Sequence, residues 1–197
     1  MYTDTVDQGH RQNYRGRPRS EQAREAVLHA VDDLLLEQGY AAMTMKGIAE
    51  RAGVSRQTVY RWWTTKAEIL FEASALDAAE ELDVVSTGTP LGDLTAYIQA
   101  LGQFLASSPA GAVYRALMGE AQHDPAVAAL LASRNVLHDT AWKVISGVVE
   151  RSERVDRDGL VAQLVGPPFF WVLSGQPPER FHAERHAATV LHLLQDQ

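Results

Sequence analysis

Between positions 56 and 66 the chain places Arg56, Gln57, Thr58, Tyr60, Arg61, Trp62 and Lys66. These are groups for recognising a surface rather than for breaking a bond. A guanidinium pairs bidentately with guanine, a carboxamide pairs with adenine, and a threonine methyl meets the methyl of thymine. The Tyr60 phenol and the Trp62 indole can donate to phosphate oxygens, and Arg61 and Lys66 add positive charge beside the same backbone. The chemistry suited to this set is the reading of duplex DNA.

Such side chains work only if a rigid unit presents them. The stretch 44–70 reads TMKGIAERAGVSRQTVYRWWTTKAEIL. Thr44 caps a helix that turns Met45, Ile48 and Ala49 inward and carries Lys46 in its first turn. Ala52, Gly53 and Val54 form a tight turn, and Ser55 caps the next helix. Val54 and Val59 lock that helix onto its neighbours, and Trp63, four after Val59, joins the same core. Arg56, Gln57 and Thr58 then occupy the first turn of a reading helix, the part that reaches base edges. Helix N-termini at Thr44 and Thr65 offer free N–H groups to phosphate. Upstream, Ser20 is the expected N-cap of a first helix with apolar residues at Ala23, Val27, Ala30, Val31, Leu34 and Leu35, and Gly39 closes it.

This segment resembles the DNA-binding domain of the TetR family of transcriptional regulators. The resemblance covers residues 20–70. It rests on EQGY at 37–40, the Thr-x-x-x-Ile-Ala of Thr44, Ile48 and Ala49, AGVS at 52–55, and Val59-Tyr60-x-Trp62-Trp63-x-x-Lys66. It implies phosphate contacts from Tyr60, Trp62 and Lys66. Gly47 and the Thr64-Thr65 pair depart from the family's usual pattern. The implied architecture is all-α, with a three-helix helix-turn-helix domain over 20–66, a flexible basic arm over 1–19, and a helical regulatory and dimerisation body over 67–197. Periodicity gives about nine helices in all. The later ones fall at 91–107, 110–122, 125–150, 156–173 and 179–195, and no run alternates as a strand would.

The charge distribution fits. The chain carries a net charge of −7, yet residues 1–66 hold 10 Lys+Arg against 8 Asp+Glu. Arg17 lies with Arg11, Arg15 and Arg19 in the arm, where it is expected to touch the minor groove or backbone. The acidic remainder repels DNA and orients the approach.

In the body, the resemblance implies a pocket for an unknown small-molecule effector on helices 5–7, with Phe104, Tyr114, Leu117, Met118, His138 and Trp142 as candidates and His123 as a further polar tip. Leu164, Phe169, Phe170, Val190 and Leu194 are the candidate homodimer interface, because the two terminal helices carry much apolar surface. Pro167 and Pro168 are expected to kink or break the helix that holds them. A dimer also follows from geometry, since two readers related by a dyad bind half-sites about 34 Å apart or multiples of that. The expected function is a ligand-responsive repressor on a palindromic double-stranded DNA operator. An activator is the nearer alternative, and a helical protein-interaction module with a relic DNA domain is the alternative from another class.

Other chemistries find little support. The chain has no cysteine, which excludes disulfides and thiolate metal sites and fits a reducing cytoplasm. His182 and His186 share a helix face, but HAERH matches neither zinc-protease motif, so no metal and no cofactor is expected. Neither Gly-x-Ser-x-Gly nor a phosphate-binding glycine loop occurs, so no enzyme is expected. The most apolar stretch, 160–173, is interrupted by Gly166, Pro167 and Pro168 and falls short of the roughly 20 residues that cross a bilayer. No membrane partner is expected.

Overall fold

The computed structural model describes residues 16–148 and 156–195, and all regular structure among them is helical. In chain order the α-helices are α1 (Gly16–Ala42), α2 (Met45–Arg51), α3 (Arg56–Tyr60), α4 (Lys66–Glu81), α5 (Pro90–Ser107), α6 (Pro109–Glu120), α7 (Pro125–Ser133), α8 (Val136–Val148), α9 (Arg157–Leu173) and α10 (Ala183–Gln195). A 3-10 turn at Pro178–Arg180 precedes α10.

Local chemistry sets most of the boundaries. Thr44 Oγ1 accepts the Gly47 N–H at 3.0 Å, and Ser55 Oγ accepts the Thr58 N–H at 3.1 Å. Thr65 Oγ1 accepts the Glu68 N–H, while the Glu68 carboxylate reaches back to the Thr64 N–H at 2.7 Å. Each such cap stabilises its helix by about 1 kcal/mol. Gly53, at φ 66°, makes the turn between α2 and α3, and Gly39, at φ 75°, interrupts α1 as the residue that must leave helical φ.

Several expected boundaries move. Ser20 is not an N-cap: α1 begins at Gly16, and Ser20 lies within it with its Oγ accepting from Arg61 Nη2 at 3.0 Å. Residues 16–19 of the expected arm, Arg17 included, are therefore helical backbone, while Arg11 and Arg15 lie outside the described residues. The helix expected at 125–150 is two, since Arg134 is extended and Asn135 Oδ1 accepts the His138 N–H at 3.1 Å to start α8. The helix expected from 179 starts only at Ala183, after the 3-10 turn.

The two prolines do not break α9, which runs through them. Pro168 has no N–H for the carbonyl of Leu164, four residues back. The His186 Nε2 of α10 lies 3.3 Å from that oxygen and donates in place of the missing amide. The ring of His186 is held edge-on against Phe181. This employs one member of the His182/His186 pair in packing, and no cluster of three or more metal-ligating side chains occurs among the described residues.

Two apolar clusters fill the interior. One gathers Val27, Val31, Leu34 and Leu35 of α1, Ile48, Val59 and Trp63 of the reading unit, and Ile69, Leu70 and Phe71 of α4. Val113 and Leu117 of α6 and Val127 of α7 belong to it as well, so this core extends past residue 66. The other cluster packs α5, α8, α9 and α10 around Tyr97, Ile98, Leu101 and Phe104. The Tyr97 hydroxyl, 3.3 Å from Leu137 O and 3.0 Å from Thr140 Oγ1, pins α5 to α8. No described helix is long and apolar enough to cross a membrane.

Asp32 on α1 works against this packing. Partial burial first, then the Asp77 charge on α4 and Asp33 beside it, push its carboxyl up to about 6, with His29 opposing. Its Oδ1 is shielded from solvent and accepts no hydrogen bond among the described residues. The folded pKa lies above the unfolded one, so the native state binds the extra proton, and stability falls as pH rises from about 4 through 6. Asp32→Asn removes this penalty. At pH 7.5 it is expected to stabilise the fold by about 1 kcal/mol once solvent screening is allowed for. In a thermal melt that is roughly 2–4 °C, with little gain at pH 4. An equal gain at both pH values contradicts the assignment.

Candidate nucleic-acid interface and helical groove

The reading unit is built from below by α1, α2 and α4. Val59 and Trp63 are buried in the shared core, at 0% and 3% exposure, and fix the inner face of α3. Trp63 Nε1 donates to Glu72 Oε2 of α4 at 3.0 Å, so the tryptophan is anchored at its polar edge too. Arg51 closes α2 onto α1 through ion pairs to Glu37 and to Asp33, the latter at 3.4 Å. The outer face is left with Arg56, Gln57, Tyr60 and Arg61 exposed and Thr58 half-buried.

Arg56, Gln57, Thr58, Tyr60 and Arg61 share this face, and the expected DNA-contacting residues are not all equally free. Thr58 Oγ1 lies 2.8 Å from Ser55 Oγ within the cap. Arg61 stacks over the Trp62 ring at 4.4 Å from its centroid while donating to Ser20, which ties the end of α3 to α1. Trp62 is half-buried, edge-on to Trp63 at 5.5 Å. Lys46 makes a loose pair with Glu50 at 3.5 Å, both side chains well exposed, which leaves its ammonium available. Lys66 is different. Its Nζ donates to the carbonyls of Tyr40 and Met43 at 2.7 and 3.1 Å and sits 4.1 Å from the Tyr40 ring centroid. It caps the end of α1 and retains one N–H for an outside acceptor. Arg17 falls in the first turn of α1.

Behind the reading unit, α1, α4, α6, α8 and α9 and the α7–α8 connection enclose an open groove of about 1200 Å³. Its apolar wall includes Phe71, Ala75, Tyr114, Met118, Val161, Val165 and Phe169, and its rim carries Arg24, Glu72, Arg134, His138, Asp139 and Asp158. Of the expected pocket residues, Tyr114, Met118 and His138 face this space. Phe104, Leu117 and Trp142 do not. Phe104 is buried among α5 and its neighbours, Leu117 belongs to the reading-unit core, and the Trp142 ring lies under the Arg157 guanidinium at 4.9 Å. His123 is exposed and off the wall. His138 Nε2 lies 2.9 Å from Asp158 Oδ1 and ties α8 to α9 at the rim. Burial pushes the Tyr114 phenol up to about 12, so it presents a neutral ring and hydroxyl.

The expected dimer residues also divide. Leu164 and Val190 are buried inside the single chain, at 0% and 1% exposure, and are not available to a partner. Phe169 faces the groove, and Leu194 packs partly on the inner core. Phe170 stays out at 74% exposure, and Leu173 on the same helix and Leu193 on α10 are exposed as well. Sequence reasoning missed Leu193, Arg24 and Glu72. The last two sit on separate helices, and nothing local marks Glu72 as the partner of Trp63 or Arg24 as the partner of Glu72.

Comparison with known proteins falls on the same two units. Residues 27–73 match the model of the bacterial regulatory proteins of the tetR family, and residues 84–190 match that of the tetracyclin repressor-like C-terminal domain. The HTH-type transcriptional regulator YdeS of Bacillus subtilis is 41% identical over 117 residues, 59% of each chain. The DNA-binding transcriptional repressor TetR of Mycobacteroides abscessus is 32% identical over 107 residues, 54% of this chain and 56% of that one. The chain thus spans a little over half the length of these curated relatives. The solved multidrug binding protein EbrR, complexed with imidazole, superposes with a TM-score of 0.62 at 17% identity, covering 96% of this chain and 97% of its own, which shows a shared fold.

Proposed function

The chain belongs to the TetR family of transcriptional regulators, and we propose that it is a DNA-binding repressor that grips a pseudo-palindromic operator as a homodimer and lets go when a small molecule fills the groove. The observation that carries this is the α3 face. Arg56, Gln57, Tyr60 and Arg61 project from a short helix whose opposite side is clamped by Val59, Trp63 and Glu72, with the half-buried Trp62 beside them. A surface helix with no partner has no need of such anchoring. Arg56, Gln57 and Thr58 are assigned to bases, and Tyr60, Trp62, Lys46, Thr44 and the free N–H of Lys66 to phosphates. The M. abscessus relative is a repressor, which favours repression over activation.

Release works by population shift. An occupant of the groove touches α4 and α6, and both helices contribute to the core that holds α3. A ligand that prefers one packing of these helices changes the spacing of two reading helices in a dimer. EbrR, of the same fold, is a multidrug binding protein, and the groove here is large enough for a drug-sized molecule.

The test is a titration by fluorescence anisotropy on DNA from upstream of the protein's own gene, against a scrambled duplex. Sequence-selective binding is expected; equal affinity for both would sink the proposal. Variants separate the roles. Lys46→Ala should weaken all sequences alike and lower the salt slope by about 1, whereas Gln57→Ala should relax one position of the site at a cost of roughly 1–3 kcal/mol in discrimination.

A further inference from the structure

The polar contacts of Glu72 join the groove to the reading unit. Its Oε2 accepts from Trp63 Nε1 at 3.0 Å, its Oε1 meets Arg24 Nη2 at 2.5 Å, and Glu72 and Arg24 both border the groove. Glu72 is the more buried of the two, at 21% side-chain exposure against 35%, and Arg24 is shared with Glu21 on the solvent side at 3.3 Å. The carboxylate is thus held by one movable cation and one indole. Around the same space Asp158 is engaged by His138 and Asp139 by His138 and Arg157, which leaves Glu72 as the carboxylate facing the rings of Phe71, Tyr114 and Phe169.

We infer that Glu72 couples the groove to the DNA-reading helix, and that the occupant to which it responds is an aromatic organic cation. This rests on the reading of the groove as the effector site. Such a cation lays its rings against the aromatic wall, where a positive charge is attracted to π faces. Its charge competes with Arg24 for Glu72. Arg24 has Glu21 and solvent to turn to, so the exchange leaves no buried charge unpaired. As the carboxylate turns toward the groove, the buried Trp63 N–H loses its acceptor, an unfavourable state relieved by repacking α3 against α4. Operator affinity falls, and by reciprocity the operator weakens cation binding by the same factor. An anion would instead draw Arg24 away and leave the Glu72–Trp63 bond in place.

The test compares tetraphenylphosphonium with tetraphenylborate, ions of like shape and opposite charge, on full-length protein. Two quantities are read: the ratio of operator affinities with and without the ion, and the Trp63 indole N–H resonance, assigned by Trp63→Phe. The phosphonium is expected to lower affinity on the order of tenfold and to shift the Trp63 resonance, with the borate without effect. Glu72→Gln keeps an acceptor for Trp63 but no charge, and should abolish the response to the phosphonium. Arg24→Met removes the competitor and should bring the response on at lower concentration, which a purely structural role for the pair would not do. The inference is overturned if the borate acts as well as the phosphonium, if neither ion acts on a protein that binds its operator, or if Glu72→Gln responds like the wild type. Failure to bind any operator without added ion would instead overturn the DNA-binding reading beneath it.

Discussion

Replacing Trp63 with alanine is expected to abolish DNA binding and to lower the stability of the whole chain. Trp63 is 3% exposed, contacts Trp62 edge-on, and is held at its indole nitrogen by Glu72. Removing a buried indole costs about 3–5 kcal/mol through lost burial and the cavity left behind. That is a large part of the roughly 5–15 kcal/mol that stabilises an ordinary domain. The damage is not confined to the reading unit, because Val113 and Leu117 of α6 and Val127 of α7 sit in the same core. A thermal melt by circular dichroism should show the midpoint lowered by several degrees, together with loss of operator binding. Trp63→Phe keeps a six-membered ring but loses the pyrrole part of the indole with its N–H, so it should cost less than alanine, about 1–3 kcal/mol of it for the unmatched Glu72. A Trp63→Ala protein that melts like the wild type would show that the core is not organised as described.

The second large effect is expected at Phe170. It is 74% exposed on α9, and Leu173, three residues further along the same helix, is exposed as well. A phenylalanine this open contributes little to the single chain, so Phe170→Glu should leave the helical content and the melt of the monomer nearly unchanged. In a dimer it would bury a carboxylate against its twin. We therefore expect a monomer by light scattering at micromolar concentration. Affinity for a two-half-site operator should fall by about 100-fold or more, since the second reader is no longer delivered at high effective concentration. A Phe170→Glu protein that remains dimeric with full affinity would move the interface elsewhere on the molecule.

What the sequence revealed, and what it hid, follows from how local each determinant is. Thr44, Ser55 and Thr65 could be identified as caps because a cap is decided within three residues, and all three accept the expected amide. Gly53 was legible because a sharp turn needs positive φ. Trp63 was legible as core because it lies one helical turn from Val59. Ser20 misled because nothing in its own neighbourhood says whether the helix starts there or runs through, and its hydroxyl is used by Arg61, forty-one residues away. Pro167 and Pro168 misled because the group that replaces the lost amide, His186, comes from another helix. Leu117 and Leu164 were legible as apolar helix positions but were expected at the effector pocket and the dimer interface, and both are core residues instead. Which core each would join depends on packing between distant helices, and that assigned Leu117 to the reading unit and Leu164 to the interior of the body.

The division of charge now has a structural counterpart. The basic, aromatic face is concentrated on α3 and its flanks, and the acidic excess lies in the body, including the groove rim. One chain can therefore carry a net negative charge and still present a positive edge to DNA, with the remainder steering that edge inward.

The central claim, that this protein reads DNA sequence as a two-fold pair through α3, is tested most directly by selecting bound sequences from a random duplex library with the full chain. The expected result is enrichment of two inverted half-sites at fixed spacing, with enrichment lost in Tyr60→Ala and one base position relaxed in Gln57→Ala. Enrichment of a single asymmetric site, or none beyond that seen with Tyr60→Ala, would contradict it.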